Sequence, residues 1–510
     1  MPQKHTFTSP RKNAIIPKNK PRIMERAFID LRKIAIVGTA IIIGIFYLST
    51  IRHGHSWEGD FSMYIMHAMN IAEGRPYGDT GYVYNPFCPC WGPKAYPPVF
   101  PLLLTPIYKV FGLNLTAMKA EIIFLFTLSL FIIGITFRRH LSTPQSIAII
   151  TILGFNPFFW DIKDHIISDL PFLLFLFLSF FILTKEEQIE QKPLPYGILI
   201  GGLFYLCYGT RAVGILLPPS LVLYDIVKNK HIRLATLISI GIFTLLAVSQ
   251  ILIVHSEASY LDQLPHSLKA LLFTMLKNPI RYSHALSQFW SNGYSAFCSI
   301  LLCILFTGLA LWGYASIVRD KRKLSPAEFF VPLYLLLISS WRAYQGLRFL
   351  IPIIPLYIYY GFTGLSYLKI GKPVYYAVIT AILISYIGKY SVIDLKTIKD
   401  GIHTKESKEF VHYIKIATGE QDTFLFYRPR VLALLTRRPA SMYHTHPQDS
   451  ELWAYINEVG IKYVAVGPFH YDSTYLKPFI ERHKEEFQEV FCNKRFIVYK
   501  VKRERKDEEK

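Results

Sequence analysis

The sequence WEGDFSMYIMHAMNIAEGRPYG, residues 57–78, follows the first long apolar run of the chain. Its apolar side chains recur at helical spacing, which predicts an amphipathic helix lying along the outer surface of a membrane. Asp60 opens this helix. It serves either as an N-cap only or as a carboxylate held at the interface for chemistry. His67 shares its face and is predicted to be a surface histidine. The stripe consists of Phe61, Tyr64, Ile65, Ala68, Met69 and Ala72.

The composition is that of a membrane protein. Of the 510 residues, 52% are hydrophobic and only 18% are charged, against about a quarter charged in an average soluble protein. Many apolar runs approach the roughly 20 residues that cross a bilayer. The net charge is +20, but the basic residues form short clusters between apolar runs. That pattern orients spans in a membrane, so membrane lipid is the expected partner and nucleic acid is not.

The apolar runs predict a polytopic α-helical fold with about eleven transmembrane helices. The first is expected to be an uncleaved signal anchor. Basic connections then fall on the side of the basic N-terminus, which is the cytoplasmic side. The proline-rich segment 96–112 is predicted to lie in the outer interface, because counting it as a span would invert every later basic loop. The predicted spans are 34–50, 117–137, 145–160, 166–184, 195–210, 212–228, 233–254, 296–318, 327–341, 349–367 and 374–391.

Three regions follow from this topology. Residues 1–33 form a cytoplasmic basic N-terminus, and residues 34–395 form the transmembrane domain with outer loops at 51–116 and 255–295. Residues 396–510 become polar and mix short strand-like and helix-like runs, which predicts a small extracytoplasmic α/β domain. Its expected strands and helices are 423–427, 461–466 and 495–501, and 405–416, 451–458 and 476–490.

Two features leave alternatives open. Cys88 and Cys90 form a Cys-Pro-Cys sequence in which a disulfide would be strained, so free thiols and pairing elsewhere are both compatible with it. In the connection 159–171, a helix would place Asp161, His165 and Asp169 on one face. That face is either a metal site or, as we favour, a solvated connection in which Asp169 or its neighbour Ser168 caps the next span. No obligatory cofactor is expected.

Several cations lie at the predicted outer ends of spans: Lys94, Arg211, Arg342 and Arg348. Charge against a bilayer is costly and usually has a use, and the arginine fork binds two phosphate oxygens at once. The alternative for each residue alone is snorkelling to lipid head groups. The sequence has no Walker loop and no glycine-rich dinucleotide fingerprint.

These residues resemble the GT-C superfamily of polyprenyl-phosphate-sugar-dependent glycosyltransferases. The most similar branch holds the protein O-mannosyltransferases and the lipid A aminoarabinose transferase, and the chain resembles glycosyltransferase family 39. Each motif is short, and their order along nearly the whole chain carries the resemblance. They are Glu58-Gly-Asp60, Tyr96-Pro-Pro98, Ser168-Asp-Leu-Pro-Phe172 and Arg348-Phe-Leu-Ile-Pro-Ile-Ile-Pro355, with the tail fragments Tyr427-Arg-Pro-Arg430 and 453–463.

The resemblance implies an inverting transferase at the outer face of a bacterial inner membrane. It would move a sugar from a polyisoprenyl-phosphate donor to a hydroxyl of a protein, lipid A, glycolipid or polysaccharide acceptor. Asp60 corresponds to the catalytic base, with Glu58 as its rival because the family's acidic pair is split here. Asp169 corresponds to a second acidic residue and Arg348 to a phosphate contact. We expect the substrate cavity to include Tyr64, Tyr96, Asp161, His165 and Tyr344.

Two other classes compete with this interpretation. A secondary transporter would place ionisable residues and broken helices near the bilayer midplane, often in repeated halves. A non-catalytic assembly factor for surface polysaccharide would tolerate loss of the Asp60 carboxylate. The candidate residues lie at outer span ends and no repeat is evident, which favours the transferase.

Overall fold

The computed structural model describes residues 20–88, 92–138, 140–254, 264–265, 267–291, 295–368, 372–444 and 448–502, with side chains from residue 33 onward except at 372, 374 and 375. Most of the predicted cytoplasmic N-terminus and Cys90 lie outside these residues. Cys88 is buried beside the Tyr443 carbonyl oxygen.

Helices make up most of the chain. They are α1 (Lys20–Ser49), α2 (Asp60–Glu73), α3 (Val99–Phe111), α4 (Leu115–Phe137), α5 (Thr143–Gly154), α6 (Pro157–Ile162), α7 (Asp169–Leu183), α8 (Glu186–Gln191), α9 (Pro193–Thr210), α10 (Leu217–Tyr224), α11 (Leu234–Ile253), α12 (Leu268–Phe289), α13 (Ala296–Arg319), α14 (Ala327–Ser340), α15 (Ile354–Tyr367), α16 (Lys372–Tyr390), α17 (Lys405–Ala417), α18 (Pro429–Thr436), α19 (Asp449–Val459) and α20 (Lys477–Arg482). Short 3₁₀ segments at Ala212–Leu216 and Gly346–Leu350 precede α10 and α15.

The protein is a polytopic integral membrane protein. Among the described residues, four helical stretches are long and apolar enough to cross a membrane: Leu115–Phe137, Ala212–Asn229, Leu234–Ile253 and Ala296–Arg319. Shorter apolar helices occupy other predicted spans, so the count of eleven stays a prediction. The predicted span 145–160 is two helices. Asn156 accepts a hydrogen bond from the Phe158 amide and starts α6 with Pro157 at its first position.

Loops that were predicted to share the inner side lie at one end of the helix bundle. Lys228, after α10, forms a 2.9 Å salt bridge with Glu186 of α8. Lys323, after α13, donates to the Tyr367 hydroxyl at the end of α15. The connections 51–59, 162–168 and 341–348 meet at the opposite end. Which end faces the cytoplasm stays a prediction.

The α2 helix does not lie on a lipid surface, which corrects the expectation from its amphipathic pattern. Every residue from Phe61 to Asn70 is buried, because α3 covers one face and α18 of the tail covers another. The prediction of a surface histidine is also wrong. His67 is fully buried and stacks on Tyr77 at 4.2 Å. Its Nδ1 contacts the Tyr77 carbonyl, and its Nε2 accepts from the Tyr96 amide.

The tail forms a six-stranded sheet that the first outer loop completes. The order is β1-β3-β2-β4-β6-β5. The first four strands are parallel, and β6 pairs antiparallel with β4 and with β5. The edge strand β1 comes from the outer loop. The strands are β1 (Tyr82–Val83), β2 (Phe424–Leu425), β3 (Ala440–Ser441), β4 (Tyr463–Val466), β5 (Phe487–Cys492) and β6 (Ile497–Val501).

The predicted helix 476–490 is wrong in its second half. The α20 helix ends at Arg482, and Phe487 begins β5. The hairpin of β5 with β6 pairs Phe487 with Val501, and both side chains are buried in a core under the sheet. Cross-strand pairing of aromatic and β-branched residues therefore outweighs the helical pattern of the isolated segment.

The tail and the first outer loop share a core. Trp57 is 5% exposed and packs against four aromatic rings of the tail, at centroid distances between 5.5 and 6.5 Å. These belong to Phe410, Phe426, Phe469 and Phe496. Residue 396 therefore divides the sequence into two regions, but their side chains pack into one shared core at the first outer loop. The division into domains stays a prediction.

Candidate active site

A cavity of about 1450 Å³ opens where the outer loops, the ends of the spans and the tail meet. One wall is apolar and comes from the ends of α11 and α14 and from the segment after α9. It includes Val213, Ile215, Ile251, Val254, Leu337 and Ile338. A second wall comes from the tail and carries Tyr427, Arg428, Arg430 and Tyr471. The rest of the lining, called the floor here, holds most of the predicted site residues.

Asp60 lies on this floor as the first residue of α2. Gly59 occupies the N-cap position, and no side chain caps the helix, so the capping interpretation of Asp60 is wrong. Its Oδ2 accepts a 2.6 Å hydrogen bond from Arg348 Nη1, and its Oδ1 accepts a 2.8 Å bond from the Tyr96 hydroxyl. Burial favours the protonated carboxyl, but the charges of Arg348 and Arg430 and these bonds outweigh it. They hold the pKa of Asp60 well below its usual range.

Arg348 links Asp60 to the second predicted carboxylate. Its Nε donates to Asp169 Oδ2 at 3.0 Å, and Arg211 Nη1 lies 2.6 Å from the other Asp169 oxygen. Arg348 sits on the 3₁₀ segment before α15, and Gly346 begins this segment with a φ of +59°, a backbone conformation that favours glycine. Two arginines and two carboxylates, which the sequence spreads from residue 60 to residue 348, therefore form one network.

Arg430 completes the network and was not predicted as a site residue. It lies in the first turn of α18, directly after Pro429. Its Nη1 donates a 2.6 Å bond to the Tyr96 hydroxyl and lies 3.6 Å from Asp60 Oδ1. Burial lowers the pKa of Arg430, but Tyr96, Tyr82 and Asp60 raise it above its usual value. The signal in the sequence was the tail fragment Tyr427-Arg-Pro-Arg430, which resembles the outer domains of the family.

Glu58 belongs to a separate charged group on the same floor. Its Oε2 lies 2.9 Å from His165 Nδ1, and His165 Nε2 lies 3.3 Å from Asp161. Burial lowers the pKa of His165, but hydrogen bonds to Asp161 and Glu58 outweigh it and raise the pKa to about 9. The sequence predicted that Asp161, His165 and Asp169 share one helix face, and the structure brings only Asp161 and His165 together. The α6 helix ends at Ile162, and Asp169 starts α7 and pairs with Arg348 instead.

This second group continues into a buried ion-pair cluster that sequence reasoning missed. Arg52 contacts Asp161 at 2.7 Å and Asp164 at 2.8 Å. Lys163 and Lys119 also approach the fully buried Asp164, at 2.6 and 3.7 Å. The cluster ties the end of α1 to α4 and α6 beneath the cavity. Within the described part of the chain, no group of three or more His, Cys, Asp or Glu residues is arranged to hold a metal ion.

The remaining predicted residues divide into two sets. Tyr64 and Tyr344 line the cavity with Tyr96 and His165, and the Tyr64 hydroxyl bonds to Ser168 Oγ at 2.8 Å. Lys94 is only partly buried, and Arg342 is exposed just after α14 ends at Ser340. Neither lines the cavity, and Asp161 lies behind His165 rather than on the cavity wall. Of the predicted phosphate contacts, the structure thus brings only Arg211 and Arg348 together.

The chain shares its fold with solved membrane proteins. ArnT from Cupriavidus metallidurans bound to undecaprenyl phosphate aligns over 92% of this chain and 97% of its own, with a TM-score of 0.54 and 13% identity. The apo structure of the same ArnT aligns over 94% of this chain and 98% of its own, with a TM-score of 0.53 and 13% identity. A third structure is the oligosaccharyltransferase AglB from Archaeoglobus fulgidus in complex with an inhibitory peptide and a dolichol-phosphate. It aligns over 85% of this chain and 69% of its own, with a TM-score of 0.50 and 11% identity.

Comparison of sequences adds no further relative, since no family model and no curated protein matches the chain. ArnT and AglB both belong to the GT-C superfamily. The resemblance deduced from the short motifs is therefore confirmed at the level of the fold, and with it the polytopic membrane architecture.

Proposed function

We propose that this protein is an inverting glycosyltransferase that moves a sugar from a polyisoprenyl-phosphate donor to an acceptor hydroxyl at the outer face of the membrane. The observation that carries the proposal is the position of Arg348. It lies between Asp60 and Asp169, on the floor of a cavity with an apolar wall at the span ends. A lipid chain, a phosphate and a proton acceptor can meet in this arrangement.

The donor class follows from the two walls. The isoprenoid chain would lie along Ile215, Ile251 and Leu337, where apolar surface is removed from water. Its phosphate would then reach Arg211 and Arg348, whose guanidinium forks suit phosphate oxygens. Undecaprenyl phosphate in ArnT and a dolichol-phosphate in AglB support this class of donor.

The reaction would be a single displacement. Asp60 accepts the proton of the acceptor hydroxyl, whose oxygen attacks the anomeric carbon of the donor sugar. The bond from that carbon to the phosphate oxygen breaks, and polyisoprenyl phosphate leaves with the electron pair. A general base contributes about 10²–10⁴-fold. Arg211 and Arg348 stabilise the negative charge that grows on the departing phosphate.

The transporter and assembly-factor alternatives receive less support. A secondary transporter holds its ionisable residues near the bilayer midplane, whereas Asp60, Asp169 and Arg348 lie at helix ends beside the outer loops. An assembly factor requires no proton acceptor. In this site a carboxylate that is 29% exposed faces the cavity between two arginines.

The proposal is tested with purified protein in lipid nanodiscs, which is supplied with a panel of polyisoprenyl-phosphate sugars and, separately, nucleotide sugars. We expect release of polyisoprenyl phosphate from at least one lipid donor when membrane extract supplies the acceptor. Arg348→Ala should reduce donor use far more than Arg348→Lys, because lysine keeps the positive charge. Arg348→Lys should still use the donor less well than the wild type, because lysine cannot contact two phosphate oxygens at once. Efficient transfer from a nucleotide sugar alone would contradict the proposal.

A further inference from the structure

The guanidinium of Arg348 is shared among three acceptors. Its Nη1 donates to Asp60 at 2.6 Å and to Gln345 at 3.1 Å, and its Nε donates to Asp169 at 3.0 Å. A donor phosphate that approaches Arg348 from the cavity would be a third anion for the same guanidinium. A guanidinium has five N–H donors in a fixed fork, and here Nε and both N–H groups of Nη1 are engaged. A phosphate that pairs with two nitrogens must therefore displace an acceptor from Nε or Nη1. Displacing the neutral Gln345 alone would leave two anions on Nη1 that repel each other, so a carboxylate contact weakens in each case.

Burial and pairing of the two carboxylates decide which of them loses its contact with Arg348. The Asp169 side chain is 1% exposed and is held a second time by Arg211 at 2.6 Å. The Asp60 side chain is 29% exposed to the cavity. Separating a buried ion pair leaves an uncompensated charge and is strongly unfavourable. Asp60 can instead keep Tyr96 and Arg430 as partners, so the contact of Arg348 with Asp60 is the one that opens.

We infer that Asp60 and the donor phosphate compete for Arg348, so that donor binding releases Asp60 and makes it a stronger base. Asp169 is then a positioning residue, which keeps Arg348 in place while its other contact is exchanged. This inference rests on the proposed function and adds an order of events to it. The donor binds first, and Asp60 takes up the acceptor proton afterwards.

The electrostatics of Asp60 agree with this order. Burial raises its pKa, but Arg348 and Arg430 together hold it well below the usual range. A carboxylate with so low a pKa is a weak proton acceptor, because general-base efficiency follows basicity. When Arg348 turns to a phosphate, Asp60 loses the contact that lowers its pKa more than Arg430 does. Tyr96 continues to orient the carboxylate through its hydroxyl.

The test measures equilibrium binding of undecaprenyl phosphate, without a sugar, to full-length protein in nanodiscs. Asp60→Asn frees Arg348 from a competing anion, so we expect affinity to rise about five-fold or more. The gain should vanish when Arg348→Ala is also present, because a double-mutant cycle isolates a coupling that passes through Arg348. Glu73→Gln is the matched control. It also removes an arginine-paired carboxylate of α2, since Glu73 lies 2.6 Å from Arg75, but Glu73 does not line the cavity, so affinity should stay unchanged.

The outcomes separate this inference from the proposed function. An Asp60→Asn protein that binds no more tightly than wild type overturns the competition. A gain in affinity that persists without Arg348, or that Glu73→Gln reproduces, also overturns it. Failure of the wild-type protein to bind the lipid phosphate overturns the proposed function itself. Asp60→Ser repeats the test with a smaller side chain, and thermal unfolding of each variant shows that the protein is folded.

Discussion

The Arg430 guanidinium donates a 2.6 Å hydrogen bond to the hydroxyl of Tyr96. That hydroxyl donates in turn to Asp60 at 2.8 Å. Arg430 belongs to the tail, Tyr96 precedes α3, and Asp60 begins α2. The tail therefore contributes directly to the orientation of the proposed base, in addition to covering the cavity.

We expect Arg430→Ala to reduce sugar transfer by about 10²-fold, because loss of orientation at a reacting group carries costs of this size. The Tyr96 hydroxyl would lose its donor, and Asp60 would lose one of two nearby cations. The loss should appear mainly in kcat. The measurement is steady-state transfer in nanodiscs with protein levels checked. Arg437→Gln at the end of the same helix is the control, since Arg437 is 40% exposed and lies 3.9 Å from Glu73. Equal effects of the two changes would show that α18 acts only as a scaffold.

Asp60→Asn should reduce transfer by at least the general-base factor of about 10²–10⁴, because an amide cannot accept the proton. The fold should survive, since Gly59 rather than Asp60 holds the N-cap position and Arg348 keeps Asp169. Glu58→Gln, prepared in parallel, tests the rival base. A fully active Asp60→Asn protein beside an inactive Glu58→Gln protein would transfer the role to Glu58, and activity in both would end the catalytic interpretation of this loop.

The sequence predicted the parts of the site that local patterns encode. Apolar runs identify helices because lipid and core both require apolar surface, and the family motifs identify Asp60, Asp169 and Arg348. Contacts between distant segments leave no such pattern. Arg430 and Tyr96 are 334 positions apart, and the two-residue strand β1 is too short to show alternation. The burial of α2 depends on α18, which an amphipathic stripe alone cannot reveal.

The pH dependence of stability should report the His165 ion pairs. The pKa of His165 is raised from about 6.5 in the unfolded chain to about 9 in the folded protein. Its stabilising contribution is therefore complete below about pH 6.5 and is lost as the pH rises through 9. We expect the difference in thermal unfolding midpoint between the wild type and His165→Gln to be largest at pH 6 and to shrink by pH 9.5. Lys163, whose pKa burial lowers to about 8, titrates in both proteins, so its effect largely cancels in the difference. A difference that does not vary with pH would contradict the charged state of His165.

Trp57 tests whether the first outer loop and the tail fold together. Trp57→Ala should destabilise the protein by about 3–5 kcal/mol, the usual cost of removing a large buried aromatic side chain. Chemical unfolding followed by near-ultraviolet circular dichroism and by proteolysis of the tail measures this loss. Trp312→Ala is the control, because Trp312 is 48% exposed on α13. A loss below about 1 kcal/mol for Trp57→Ala would indicate that the tail forms its core without the loop.

The topology prediction places the tail on the outer side of the membrane. An odd number of spans and a basic N-terminus inside require this, and so does the proposal, because the cavity is built from the tail and the outer loops together. A reporter that is active only in the cytoplasm should be silent when it is fused after Val501. The same reporter should be active after Arg322, in the basic connection that follows α13.

A membrane-impermeant thiol reagent gives an independent measurement. It should label the exposed Cys492 in intact spheroplasts, whereas a cysteine introduced at exposed Lys321 should be protected. An active reporter after Val501 together with a protected Cys492 would mean that the span count is even, and the site would then face the cytoplasm.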